Sequence, residues 1–220
     1  MVSLELESAL WAGGCTLVAG IDEVGRGALA GPVSVGVALL ARCESWPAGL
    51  MDSKRLNAPT RQRLVPELKA FAVGVEVGHA SAETIDQLGI VGALRYAALG
   101  ALAALEARGV TPDHILLDGT HNWLATPEPD LFDTSPEPPM TAPVTMVVKG
   151  DNACVSIAAA AVIAKVTRDA IMVELESQAP GYGFESNKGY GSAAHIDGLA
   201  TLGPSVFHRR SWRLPGVAQQ

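Results

Sequence analysis

The stretch Thr16-Leu17-Val18-Ala19-Gly20-Ile21-Asp22-Glu23-Val24-Gly25-Arg26-Gly27 decides how the rest of the chain is read. A short apolar run ends in two carboxylates and then in a glycine-rich turn, which predicts a buried strand over residues 16–21. Residues 32–40, rich in Val, predict a second strand. The short glycine-filled connection makes the two an antiparallel pair. Adjacent Asp22 and Glu23 point to opposite faces of a regular strand. Both reach one site only if the strand ends or bulges there, which Gly25 and Gly27 permit.

Working outward, Pro59 opens a helical pattern with Leu64, Leu68 and Phe71 on one face. Alternation over residues 71–77 predicts a third strand. Ser81 suits the N-cap of a short helix, and residues 90–108 form a longer one that stops at Gly109. A strand over 114–117 ends in Asp118-Gly119. Residues 121–143 hold six prolines and no period, so they read as an irregular surface loop. A strand over 145–148 is followed by an Ala-rich helix over about 152–177, a glycine-rich stretch, and a last helix over about 192–202. No repeat or linker divides the chain. The expectation is one α/β domain over 1–220: a mixed sheet flanked by helices, with its core at about 16–190 and a small C-terminal helical appendage at about 191–214.

Of the 220 residues 48% are hydrophobic and 18% charged, which excludes a disordered chain. Cys15, Cys43 and Cys154 lie far apart with no CxxC pair, against a zinc site or disulfide framework. Residues 153–164 fall short of the roughly twenty a spanning helix needs, and Arg95 interrupts residues 90–105. These features give the expectation of a soluble, cytoplasmic monomer with no membrane association. The net charge of −7 does not advertise a nucleic-acid binder. Its distribution softens that objection. Between Gly119 and Val148 the only charges are Glu128, Asp130, Asp133 and Glu137, whereas Lys54, Arg55, Arg61 and Arg63, and His208, Arg209, Arg210 and Arg213, form basic clusters.

Asp22, Glu23, Asp118 and Asp151 stand at strand ends or before a helix, where ligands bind in open α/β sheets. Hard cations such as Mg²⁺ or Mn²⁺ take oxygen donors, and a pair of them can clamp the attacking and leaving oxygens of a phosphoryl displacement. Each acid also has a plainer local reading. Asp118-Gly119 is a common turn dipeptide, and Asp151 could cap the helix that follows.

Seven ordered blocks carry a family resemblance over about residues 16–213. Asp22-Glu23-Val24-Gly25-Arg26-Gly27 resembles the DExGRG signature of ribonuclease HII, and Asp52-Ser53-Lys54-Arg55-Leu56 its DSKxL segment. Leu117-Asp118-Gly119 and Lys149-Gly150-Asp151 are similar to its third and fourth acidic motifs. Residues 163–169, 187–191 and 208–212 match further blocks. The resemblance implies a ribonuclease H-like fold with Asp22, Glu23, Asp118 and Asp151 as catalytic, metal-binding carboxylates using Mg²⁺ or Mn²⁺. It implies that Gly25, Arg26 and Gly27 contact the ribose 2′-hydroxyl with Tyr190 against the sugar. Arg26, Ser53, Lys54, Arg55 and Lys188 are candidates for contacts with substrate phosphates, which position a duplex without reading its sequence.

Asp169, a rival for the fourth acid, lies 18 residues beyond Asp151, about 27 Å along a helix, and reads as helix surface. His195 and His208 read as structural. The implied activity is hydrolysis on the 5′ side of ribonucleotides in RNA/DNA hybrids and in ribonucleotide-containing duplex DNA, leaving 3′-hydroxyl and 5′-phosphate ends. Ribonuclease HIII would carry another residue at Arg26 and an added N-terminal domain. From another class, the rival is a non-catalytic nucleic-acid-binding protein on the same fold. Residues 158–161, all alanine, depart from serines usual in the family, and residues 214–220 show no aromatic motif for docking on a sliding clamp.

Overall fold

Alternation over residues 17–24 and 33–41 builds two long strands whose even and odd positions bury different helices. The computed structural model describes residues 2–125 and 142–217. In chain order it contains α1 (Glu5–Ala12), β1 (Leu17–Val24), β2 (Val33–Ala41), α2 (Ala58–Phe71), β3 (Gly74–Ala80), α3 (Ala82–Glu106), β4 (His114–Asp118), β5 (Val144–Val147), α4 (Val155–Gln178), α5 (Phe184–Asn187) and α6 (Ala193–Leu202). The five strands form one mixed sheet in the order β3-β2-β1-β4-β5. β1, β2 and β3 are antiparallel neighbours, while β4 runs parallel to both β1 and β5.

Val18, Ala38, Leu40 and Leu116 pack with α1, α2 and the first half of α4 on one face. Ala19, Ile21, Val35, Val37, Ile115 and Leu117 pack with α3 on the other. Small residues bring both helices close. A Cβ on Gly20 would fall on the Ser156 backbone, one on Gly36 on the Ala160 carbonyl, and one on Gly78 on the Ala97 carbonyl. The fully buried alanines 158–161 supply the other half of this contact. A third cluster of Ala30, Met172, Tyr182, Phe184 and Leu199 fastens the C-terminal appendage to the far half of α4.

Several boundaries move. Residues 2–12, outside the core expected from residue 16, give it Val2 and Leu4 from the segment before α1 and Trp11 from α1 itself. The third strand begins at Gly74, because α2 continues through Phe71. Ser81 caps Thr84 as expected, and the two helices after it appear as one span broken at Gly89 (φ 69°). That span has the length and hydropathy of a membrane helix, but Gly89 interrupts it, and Ala93, Leu94, Ala97, Ala98, Ala101 and Leu105 are buried against the sheet. Of the 121–143 loop, residues 126–141 lie outside the described residues. Trp123 and Leu124, at its start, are buried under α3 rather than on the surface.

These contacts order two glycine substitutions. Gly20→Ala should lower stability by about 3 kcal/mol, since the intruding atom meets main chain that cannot rotate away. Gly100→Ala, in open space on α3, should raise it by up to about 1 kcal/mol. Urea denaturation of the two variants checks the order; equal midpoints would contradict the close-packed interface.

Candidate active site

Strand pairing decides where the acids lie. β1 pairs with β4 only as far as Ile21–Leu117, but stays in regular register with β2 through Asp22–Gly36, Glu23–Val35 and Val24–Ser34. The strand therefore neither ends nor bulges at Asp22-Glu23, contrary to the condition set from sequence. Alternation puts Asp22 and Asp118 on the α4 face and Glu23 on the other. No β4 residue pairs with Glu23, which stands at the rim and bonds the Arg26 guanidinium at 3.3 Å.

Asp151 joins Asp22 and Asp118 through the turn ahead of α4. Lys149 holds a left-handed conformation (φ 55°), and a 3-10 turn over Gly150–Asn152 follows. The Gly150 N–H donates to Asp118 Oδ1 at 2.6 Å, tying the two motifs together. Asp151 does not cap α4; Cys154 holds that position. Instead Asp151 accepts from Lys54 Nζ (3.2 Å) and Asn152 Nδ2 (3.1 Å). Asn152 also reaches Asp52, whose carboxylate accepts from the Lys54 N–H. Asp52 and Asn152 were missed from sequence as supports of this acid. Asp169 pairs with Lys165 at 2.7 Å along α4, a helix-surface role as expected.

Burial, and then the charge of Asp118, Glu23 and Asp151, hold the Asp22 carboxyl well above its ordinary range. Burial likewise raises Glu23 against the pull of Arg26, and raises Asp118 against the Gly150 N–H. Burial depresses the Lys54 ammonium, but Asp151, Asp22 and Asp52 outweigh it and hold the group above its usual value. Carboxylates that raise one another lack positive charge, and an all-oxygen set suits Mg²⁺ or Mn²⁺. Among the described residues no three His, Cys, Asp or Glu side chains form a ready-made metal cage. The described contacts of Asp151 with Lys54 and of Glu23 with Arg26 are the ones a cation would compete with.

Beside the acids lies the Gly25-Arg26-Gly27 turn. Gly25 needs its φ of 83°, and a Cβ there would strike the Arg168 guanidinium. Arg26 and Gly27 are exposed, and the Gly25 N–H donates to the Tyr190 hydroxyl at 3.2 Å. Two arginines read from sequence as part of a motif block and of a basic cluster are fully buried. Arg168 donates to the carbonyls of Pro32 (2.7 Å), Lys188 (2.9 Å) and Ala30 (3.3 Å), and its guanidinium lies 5.6 Å from the Tyr190 ring centroid. Arg209 donates to the carbonyls of Gly25, Arg26 and Gly31. His208 is buried as well, so of the second basic cluster only Arg210 and Arg213 face solvent. In the first cluster Lys54 and Arg55 are exposed, while Arg61 is tied to the Ser53 and Leu56 carbonyls. Ser53 is buried and shapes the loop that carries Lys54. Lys188 is half-buried, its ammonium on the Glu185 carbonyl.

His195 and His208 hold Tyr190 from behind. The Ser205 N–H donates to His208 Nδ1 (3.0 Å), so the His208 proton sits on Nε2 and points at His195 Nε2 (2.9 Å). The His195 proton then sits on Nδ1, donating to the Tyr190 carbonyl (2.9 Å). The chain requires two neutral rings.

A mixed sheet with acids gathered where β1, β4 and the start of α4 meet is the plan of the ribonuclease H-like hydrolases. Comparison with known proteins narrows this. Residues 19–214 match the family model described as ribonuclease HII. The ribonuclease HII of Streptomyces avermitilis is 45% identical over 90% of this chain and 78% of its own length. That of Nitrosococcus oceani is 44% identical over 89% of this chain and 88% of its own. The crystal structure of the ribonuclease H2 from Pyrococcus horikoshii superposes with a TM-score of 0.63 at 25% identity, over 90% of this chain and 94% of that one. The fold is shared with a ribonuclease HIII solved with Mn²⁺ (TM-score 0.63, 18% identity, 89% of this chain and 64% of that one). The chain belongs to the ribonuclease HII family, and it is a ribonuclease H-type endonuclease.

Burial, and then the neighbouring His195, push the His208 imidazole down to about 4; burial also lowers His195. Depressed histidines leave stability complete above about pH 6.5, the unfolded value, and remove it as the unfolded chain takes up protons below that. The raised carboxylates act in the opposite sense, so a difference measurement isolates the effect. Between pH 7 and pH 4.5 the native chain should lose about 2–3 kcal/mol more than a His208→Gln variant. Parallel urea curves for the two proteins at both pH values would contradict the neutral pair.

Proposed function

We propose that this chain cleaves on the 5′ side of ribonucleotides, both in RNA/DNA hybrids and at single ribonucleotides embedded in duplex DNA, leaving 3′-hydroxyl and 5′-phosphate ends. One observation carries the reading: the two acids of β1 run directly into the turn that exposes Arg26 and Gly27, so Asp22 and Gly25 lie three residues apart at one strand end. A phosphate lying over the acids would bring the adjoining sugar to Arg26, Gly27 and the Tyr190 hydroxyl. The 2′-hydroxyl is what distinguishes RNA from DNA there.

Asp22, Glu23, Asp118 and Asp151 would hold divalent ions, Mg²⁺ or Mn²⁺. Such ions supply an activated water and neutralise the charge of the displacement. The chain's own residues do the rest. Gly150 orients Asp118, and Asn152 orients Asp151. Lys54, exposed at its tip, is placed to move between Asp151 and a substrate phosphate. Lys54, Arg55 and Lys188 would then hold the duplex by its backbone, which positions without reading sequence. Ser53 contributes through the loop it shapes. Binding confined to this face accommodates a net charge of −7. A ribonuclease HII of Archaeoglobus fulgidus has been solved in complex with PCNA; for this chain we propose a monomer acting on the duplex by itself.

Incubation with a duplex carrying one ribonucleotide, with Mg²⁺ or Mn²⁺ and then with chelator, tests the reading. Incision should require the metal, and Asp151→Asn should reduce it at least about 1,000-fold while leaving duplex binding in place. Metal-independent cutting, or undiminished turnover by the variant, would remove Asp151 from the site. Tyr190→Phe, which keeps the ring and loses the hydroxyl, should reduce kcat/KM on the single-ribonucleotide duplex by about tenfold.

A further inference from the structure

Arg209 lies in the C-terminal appendage, far in sequence from the acids, yet it is fully buried against the turn beside them. Its Nη2 donates to the Gly25 carbonyl (2.6 Å) and its Nη1 to the Arg26 carbonyl (2.8 Å). Nε and Nη2 also reach the Gly31 carbonyl at 3.3 and 3.2 Å. The Trp212 ring covers the guanidinium with 4.8 Å between carbon and centroid, and the Arg209 N–H is itself held by the Leu29 carbonyl at 3.0 Å. No described carboxylate forms an ion pair with it. The main-chain carbonyls take that place.

The consequence follows from peptide geometry. All described peptide bonds are trans, so the carbonyl of one residue and the N–H of the next point to opposite sides of the same plane. Drawing the Gly25 carbonyl inward turns the Arg26 N–H outward. Drawing the Arg26 carbonyl inward does the same for the Gly27 N–H. Among the described residues neither N–H meets an acceptor, whereas the Ala28 N–H closes the turn on Gly25 at 3.2 Å. Gly27 also has nothing within 4 Å of where a Cβ would stand. Two adjacent free donors thus face open space beside the acids, fixed from behind by one side chain.

We propose that Arg209 is a positioning residue for ribonucleotide recognition, setting the Arg26 and Gly27 N–H groups to receive the oxygen of a ribose 2′-hydroxyl. This rests on the ribonucleotide-directed reading above. A residue that only stabilises the fold would, when changed, weaken all duplexes alike. A positioning residue changes the ratio between them. Arg209→Met keeps length and apolar bulk without the donors, and Arg209→Lys restores part of the donor set.

The test measures binding, in Ca²⁺ to keep the duplex uncut, to a duplex with one ribonucleotide and to the same duplex in all-DNA form. The wild type should prefer the former by at least about tenfold. In folded Arg209→Met the ratio should fall to within about threefold of unity, and in Arg209→Lys it should lie between. A wild-type ratio preserved in folded Arg209→Met overturns the inference and leaves the functional reading standing. No preference in the wild type takes both down. If Arg209→Met does not fold, amide exchange in the free wild type decides. The Arg26 and Gly27 amides should exchange at least about 100-fold faster than Ala28, and protection at either would show that they do not face outward.

Discussion

Two buried guanidinium groups, neither in ion-pair contact with a described carboxylate, hold this structure to its purpose. Charged groups enter a protein interior only when their donors are satisfied, and Arg168 and Arg209 are satisfied almost wholly by main-chain carbonyls. Burial, and then the charge of Arg168, lower Arg209 to about 9, which leaves it cationic at neutral pH. The two draw on residues 25–32, on residue 188 and on the segment after α6. In this way the first hairpin, the far half of α4 and the appendage meet at one place. That place adjoins the acids.

The appendage is therefore part of the site's architecture. Asp86, at the start of α3, accepts from the N–H groups of Arg210 and Ser211 and from the Ser211 hydroxyl at 2.9, 2.9 and 2.6 Å, docking the segment that carries Arg209. His195 and His208 set the carbonyl of Tyr190, while the Tyr190 hydroxyl accepts from Gly25. The Gly25-Arg26-Gly27 turn is held on one side by β1 and on the other by this C-terminal frame. A rigid donor array gains selectivity because it is not reorganised when the ligand arrives.

Much of this was legible in the sequence. Period-two runs gave β1, β2 and their antiparallel pairing, and the carboxylates at strand ends and before α4 pointed to one cluster, which the structure brings together. Ser81 gave its cap and Gly109 its stop. Other features were hidden for physical reasons. β3 begins late because the helical face of α2 runs through Phe71, and Gly78, which resembles a breaker, is where α3 presses on the sheet. α1 is short, and its buried Glu7, bonded to the Ser156 N–H and hydroxyl, looks like surface charge. Arg168 and Arg209 read as a motif residue and as part of a basic patch, since sequence cannot show that carbonyls will meet them. Glu23 shows the limit of a strand rule: the register stays regular, and the acid stands at the rim.

If the turn beside Asp22 registers a ribonucleotide over the acids, the position of the cut must show it. A duplex with one ribonucleotide, labelled at the 5′ end of that strand, should yield a single product that stops just before the ribonucleotide and that a polymerase can extend from its 3′-hydroxyl. A cut on the 3′ side, a product lacking an extendable end, or equal cutting along an all-DNA strand would contradict that placement.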